Sequence, residues 1–246
     1  MIHYHGTPIT PNSSALVALS GSHAFISFPR PDNLGMAIEV CQSFAVDNGA
    51  YSAWKSGKPI TDWTRYYQWV AGIHNIPSFD FAVIPDVVDG TEEENDDLLR
   101  EFPWGCTGVG APVWHLHESL DRLEKLVCRY PRICLGSSGE FSTNGTNEWW
   151  GRINEAMQVV CNKDGLPSVK LHGLRMLDPS IFTKLPLASA DSTNLARSVG
   201  IDSKWKGSYN PISKDSRAWV LRQRIEKEQS PTFWQKQPIQ ECLLEN

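Results

Sequence analysis

Three aspartates and three histidines of this chain, Asp47, Asp86, His115, His117, His172 and Asp191, fall at or just past the ends of short apolar runs. Two carboxylates on separate segments, outside any metal-ligand spacing, suit a nucleophile paired with a general acid/base, as in reactions at the anomeric carbon of a sugar. One carboxylate can trap C1′ of a glycoside as a covalent intermediate while the other manages protons. The sequences around them add the rest of a pocket: Asp47-Asn48-Gly49-Ala50-Tyr51, His115-Leu116-His117-Glu118, Gly136-Ser137-Ser138-Gly139-Glu140, His172-Gly173 and Asp191-Ser192. Glycines let a flat ring approach the backbone, and Tyr51 offers a stacking face. Asp86 can accept hydrogen bonds from an amidine-like edge such as guanine N1 and N2. These features point toward a purine pocket.

The runs that must position these residues are HAFISF (23–28), SFAVD (43–47), FDFAVIPD (79–86), APVWHLH (111–117), RICLG (132–136), SVKLHG (168–173) and LASAD (187–191). Segments of helical character separate them, clearest over 61–73, 119–130 and 147–161, with Ser119 opening the second and Pro131 ending it. Apolar runs alternating with helices predict a parallel sheet with crossover helices. Repeats this close together, with no break in composition, predict an α/β fold of the closed (β/α)8 TIM-like type. Residues 1–200 form the catalytic barrel in this reading, and 201–246 hold the last strand, within 201–212, and a basic helical extension. No GxGxxG follows the first run and no GxxxxGK[ST] occurs, so Rossmann and P-loop nucleotide chemistry are disfavoured.

On these residues the chain resembles the tRNA-guanine transglycosylase superfamily, and within it the shorter branch of DNA 7-deazaguanine transglycosylases of phages and bacterial modification islands. The resemblance covers roughly residues 40–200. Asp47-Asn48-Gly49-Ala50-Tyr51 is similar to the family's DSGG-aromatic motif, which implies proton handling by Asp47 and base stacking on Tyr51. Asp191-Ser192 with Arg197 is similar to the nucleophile motif, an Asp followed six residues later by Arg, which makes Asp191 the implied nucleophile. The guanine-reading aspartate would be Asp86, and Gly136 through Glu140 would match a glycine-rich stretch ending in Gly-Glu. The implied pocket is Asn48, Gly49, Tyr51, Asp86, His115, His117, Gly136, Ser137, His172, Gly173 and Arg197. Two positions depart from the pattern: His115 and His117 stand where the family has a base-reading Gln, and His172-Gly173 stands where the tRNA enzymes tend to have Met-Gly. The tRNA enzymes' CxCxxC zinc site is also missing, which favours DNA over tRNA. The implied activity is exchange of guanine in DNA for a free 7-deazaguanine base, with no metal or organic cofactor, in the cytoplasm; a homodimer is compatible with it.

A competing assignment uses His115-x-His117, with His172 and Asp191, as ligands of a divalent-metal hydrolase; His3-x-His5 has the same spacing. A third is a nucleic-acid-binding barrel without catalysis. The net charge of -5 argues against nucleic-acid binding by bulk charge. Its distribution is uneven: eight acids against Arg100 in residues 86–101, and eight bases against Asp215, Glu226 and Glu228 in 204–236. That basic segment, with Arg217, Arg222 and Arg224, is expected to present a helix over 213–228 to the phosphate backbone. Six cysteines without a CxxC or CxC pair are expected to be buried free thiols, and Trp63, Trp69, Trp149 and Trp150 to be packing residues. Forty-one per cent apolar residues, no long apolar stretch and an N-terminus, MIHYHGTPITPNSS, lacking a secretory pattern lead to the expectation of a soluble protein.

Overall fold

The computed structural model of the chain describes residues 1–200 and 211–236. Its strands are β1 (Ile2–Gly6), β2 (His23–Ser27), β3 (Ser43–Asp47), β4 (Phe79–Val83), β5 (Gly110–Ala111), β6 (Val113–His115), β7 (Arg132–Gly136), β8 (Lys170–Gly173) and β9 (Ser189–Ser192). The helices are α1 (Asn12–Leu19), α2 (Leu34–Val40), α3 (Ala50–Lys55), α4 (Thr64–Ile73), α5 (Glu92–Glu101), α6 (Leu120–Arg129), α7 (Asn147–Val160), α8 (Pro179–Phe182), α9 (Asn194–Ser198) and α10 (Lys214–Glu226). The strands lie in the order β5-β4-β3-β2-β1-β9-β8-β7-β6, and all of their pairings are parallel. β5 and β6 are halves of one stave, parted by Pro112: Ala111 is in register with Val83 of β4, and Val113 with Cys134 of β7. The two ends of the order therefore meet, and eight staves close the (β/α)8 barrel that the alternation of runs and helices predicts.

Strand alternation divides the staves between two apolar layers. Tyr4, Phe25, Ala45, Phe81, Val83, Ala111, Val113 and Cys134 point inward and fill the barrel. Residues between them, such as Ala24, Val46 and Ala82 on one side and Trp114, Leu135 and Ala190 on the other, point out against the helices. Trp63, Trp149 and Trp150 are buried in that outer layer, and Trp69 packs against it. α5 opens with a capping box of Thr91 and Glu94, and Ser119 caps α6 as its sequence suggests.

The eighth stave differs from the expectation. It is β1, which pairs with β2 on one side and β9 on the other; of the 201–212 stretch, 201–210 lies outside the described residues. Ile2–Gly6 does not read as an apolar run because its outward positions are histidines. These bond to the far end of α10 and to the backbone just beyond it: His5 Nε2 lies 3.0 Å from Glu226 Oε1, and His3 Nε2 lies 3.0 Å from the Glu228 carbonyl. Burial alone would raise the Glu226 carboxyl, but its bonds from His5, Ser22 and Arg222 hold it down at about 2.

α10 is found where expected, but it is a wall helix, packed on α1 and α9, and it turns two of its bases, Arg217 and Arg222, into the wall. Arg217 is buried and donates from Nε to the Val199 carbonyl at 2.7 Å and from Nη1 to the Pro211 carbonyl at 3.0 Å. Arg222 donates to the Ser20 carbonyl at 2.7 Å and to Glu226 at 2.9 Å. The expected phosphate contacts of Arg217 and Arg222 are thus overturned, because their donors are used inside the wall; Arg224 is exposed and has a partner of its own. Arg217→Ala is expected to cost about 2–4 kcal/mol in urea unfolding, since it leaves buried carbonyls without donors. A change within about 0.5 kcal/mol, the range of an ordinary surface substitution, would contradict this.

The cysteines depart in part from expectation: Cys134 is buried in the barrel, Cys41 and Cys161 are half-buried, and Cys106 and Cys128 are exposed free thiols. Cys242 lies outside the described residues. Among the described residues, no helix is long and apolar enough to cross a membrane.

Candidate active site

The carboxyl ends of the staves enclose a cavity of about 400 Å³, and most of the strand-end residues singled out in the sequence line it: Asp47, Asn48, Tyr51, Asp86, His115, Gly136, Ser137, Asp191 and Arg197. Its position follows from the fold, since each inward-facing strand terminus opens on the same mouth. Asp47 closes β3 and Asp191 lies on β9, with β2 and β1 between them. Those two staves contribute Gly6 of β1 and Phe25 and Ser27 of β2 to the lining, and both carboxylates border the one cavity.

Asp47 has its carboxyl pushed up to about 7, first by burial and then by the carboxylates of Asp191 and Asp86. A bond from the Gly49 N–H and the charge of Arg175 oppose that rise without cancelling it. Gly49 sits at φ 84°, and a Cβ there would fall 2.4 Å from Pro29 Cγ, so the turn that supplies this donor needs glycine.

Asp191 is buried, and its Oδ1 accepts the Arg175 N–H at 2.9 Å. His172 Nε2 lies 3.4 Å from the same oxygen. His172 is wholly buried beneath the cavity, stacked on Phe25 with 5.2 Å between ring centroids, and its Nδ1 lies 2.8 Å from Ser189 Oγ. Burial lowers its pKa and favours the neutral ring, so it supports Asp191 from below and does not line the pocket.

Asp86 is oriented on both oxygens. Asn48 Nδ2 donates to Oδ1 at 2.8 Å, and His115 Nε2 lies 2.9 Å from Oδ2. Asn48 also donates to the Ile84 carbonyl and accepts from Ala50 N–H, so it fixes Asp86 and the start of α3 together. Gly136 makes room for His115, because a Cβ would come within 3.0 Å of its Nδ1. Below, Glu118 accepts from the His115 N–H at 2.8 Å, from Asn95 at 2.9 Å and from Arg122 at 2.7 Å. Asn95 in turn accepts from the Val87 N–H at 2.7 Å, so one buried network anchors the chain behind both Asp86 and His115.

Four expected pocket residues lie elsewhere. Gly49 is the turn residue whose N–H bonds to Asp47 and does not line the cavity. His117 is exposed and bonds to Ser138 Oγ at 2.8 Å, because it follows the end of β6 and turns away from the mouth. His172 is the buried support just described. Gly173 faces the outer layer, where a Cβ would meet Met176 and Leu187, so its smallness serves packing. This arrangement also disposes of the proposed ligand set His115, His117, His172 and Asp191, and among the described residues no three His, Cys, Asp or Glu side chains are grouped to hold a metal ion. His3 and His5 are the wall contacts to α10 and its end.

Sequence reasoning missed Arg175. Among the described residues it is the non-glycine residue with positive φ, 59°. That conformation costs an L-residue on the order of 1 kcal/mol and marks functional sites. Its N–H holds Asp191, its Nη2 donates to the Ser137 carbonyl at 2.5 Å, and its guanidinium carbon lies 3.8 Å from the centroid of the Tyr51 ring. Arg175 therefore ties β7, β9 and α3 together across the mouth. With Arg30, Lys55 and Arg197 it also gives the cavity a cationic lining above the three carboxylates.

No protein-family model matches the chain, and no curated protein matches it. Among solved structures, it is similar to a protein from Coccidioides immitis assigned as a fructose-1,6-biphosphate aldolase, with a TM-score of 0.54 and 16% identity over 92% of this chain and 90% of the other. At that identity the likeness is one of fold.

Proposed function

We infer that the chain is a pentosyltransferase that exchanges guanine in DNA for a 7-deazaguanine base. The observation that carries this reading is the pair Asp47 and Asp191, set on separate staves around one open space, with the Asp47 carboxyl raised to about 7. Asp191 Oδ1 is engaged by the Arg175 N–H, which fixes the carboxylate plane and leaves Oδ2 as the attacking atom. As its electron pair bonds to C1′, the C1′–N9 bond breaks and its electrons pass to the leaving guanine, which takes the Asp47 proton. The incoming deazapurine then returns its N9 proton to Asp47, bonds to C1′ and releases the Asp191 carboxylate. A carboxyl that titrates near neutrality can serve both half-reactions. Asp86, held by Asn48 and His115, is placed to accept from N1–H and N2–H of the ring, and Tyr51 to stack on it. A base in a duplex must be flipped out or presented on a single strand to enter this cavity.

The test is to incubate the protein with a labelled 7-deazaguanine base and, in parallel, a guanine-containing oligodeoxynucleotide or tRNA, then digest and weigh the nucleosides. Label in the DNA nucleosides is the expected result. Label in tRNA with none in DNA would transfer the activity to RNA, and no label in either would overturn the reading.

Arg175 gives a second check. Arg175→Ala removes the side-chain ties that hold the backbone at positive φ and is expected to lower kcat about 10- to 100-fold through misplacement of Asp191. Arg175→Gly keeps the N–H and adopts that φ freely, so it should lose less. Equal losses would mean that the guanidinium, and not the peptide group, matters.

A further inference from the structure

The wall position of α10 leaves open where a polynucleotide would lie, and the other side of the mouth supplies an answer. α3 carries Tyr51, Trp54 and Lys55 at positions i, i+3 and i+4, which places them on one face of the helix. Tyr51, Ser52 and Lys55 line the cavity. The Trp54 ring, tilted 39° to that of Tyr51 with 5.7 Å between centroids, is 38% exposed, a large aromatic surface left to solvent beside the pocket. Arg197 on α9 lines the same mouth and is exposed, and Arg30, beyond the end of β2, pairs with the exposed Asp32. An aromatic step flanked by cations, above a floor of three carboxylates, is arranged for a chain whose bases stack while its phosphates stay at the rim.

We propose that a single-stranded polynucleotide crosses the mouth over α3, stacking a base next to the target nucleotide on Trp54 and setting its phosphates against Lys55, Arg197 and Arg30. This surface rests on the transglycosylase reading for its purpose, and its binding can be measured without any turnover. A flat single strand suits it because Trp54 offers a ring face without groove-reading elements around it, and the carboxylates below repel phosphate from the pocket itself.

The experiment is fluorescence anisotropy with a short labelled single-stranded DNA, a matched RNA and the corresponding DNA duplex, each over a range of salt. Three variants of the whole chain are compared with wild type: Trp54→Ala, Lys55→Ala with Arg197→Ala, and, as a control of equal charge loss, Lys214→Ala at the start of α10 with Lys227→Ala just past its end. Trp54→Ala should weaken single-strand binding roughly tenfold or more, the usual effect of losing one stacked base. The rim double variant should weaken it at least as much and flatten the salt slope by about 1.4, at about 0.7 per lost phosphate contact. The α10 control should bind as wild type does. The DNA and RNA arms decide which sugar the surface prefers. The proposal is overturned if wild type does not bind single strands, if it binds duplex as tightly, if the rim variants match wild type, or if the control loses as much as they do. Binding that follows the expected pattern without any base exchange would overturn the chemistry and leave this surface standing.

Discussion

Asp191→Ala is expected to fold as a barrel and to lose base exchange by about 10⁴-fold or more, because removal of the attacking carboxylate closes the covalent route altogether. The surroundings of Asp191 say why the fold should survive. Its side chain accepts one peptide N–H from a loop and sits over a neutral histidine, whereas the apolar layers on both sides of β9 do not depend on it. Trapping followed by intact-mass measurement checks the point: wild type should carry a glycosyl adduct with a guanine-containing oligonucleotide, and the variant none. Labelled guanine released by the variant at near wild-type rate would remove Asp191 from the role.

Asp47→Asn is expected to lower exchange about 10²- to 10⁴-fold and, at the same time, to stabilise the protein at alkaline pH. The folded state holds the Asp47 proton up to about pH 7, while an unfolded chain releases it near 4. The native state thus binds the proton more tightly, and stability falls as pH rises from about 4 to about 7. Asparagine cannot ionise and escapes that loss. At pH 8 the variant should exceed wild type by roughly 2 kcal/mol, about half the ceiling for a shift of this size because the group keeps some solvent; near pH 4 the two should converge. The wild-type step that releases guanine should slow as pH rises through about 7, because the leaving base needs the Asp47 proton. Urea unfolding at several pH values measures the first expectation and single-turnover release the second. A variant less stable than wild type at pH 8 would show that Asp47 is not under the electrostatic load assigned to it.

The strand-end aspartates were legible because a barrel sends every inward strand terminus to one mouth, so Asp47, Asp86 and Asp191 could be grouped without knowing any distance. β3 and β7 have the bounds that their apolar runs suggest, SFAVD and RICLG. β1 was not legible, because His3 and His5 break its apolar pattern and their purpose shows only when Glu226 and Glu228 arrive from the other end of the chain. Arg217 and Arg222 share the composition of a solvated basic helix; the sequence holds no sign that carbonyls of Val199 and Ser20 would absorb their donors. His117 lies two residues past His115 and looks equivalent on a strand, yet the strand ends at His115 and the alternation ends with it. Arg175 was invisible for a different reason: its importance lies in a backbone angle, which a residue type other than glycine does not announce.

The pairing of β1 with β9 has a bearing on how the chain reaches this state. Ile2 is in register with Ser189 and Tyr4 with Asp191, so the ring cannot close until nearly the whole described sequence has left the ribosome. Until then β1 and β8 present unpaired parallel edges, the kind of surface that invites pairing between molecules. Contacts so distant in sequence make closure a late and slow event, since the loop they seal must be ordered first. Asp191, the nucleophile in the proposed function, stands on the last stave among the described residues. A chain interrupted before Ser189 would carry Asp47, Asp86 and His115 but neither Asp191 nor a closed ring, so completion of the candidate site and protection from aggregation arrive in the same step of synthesis.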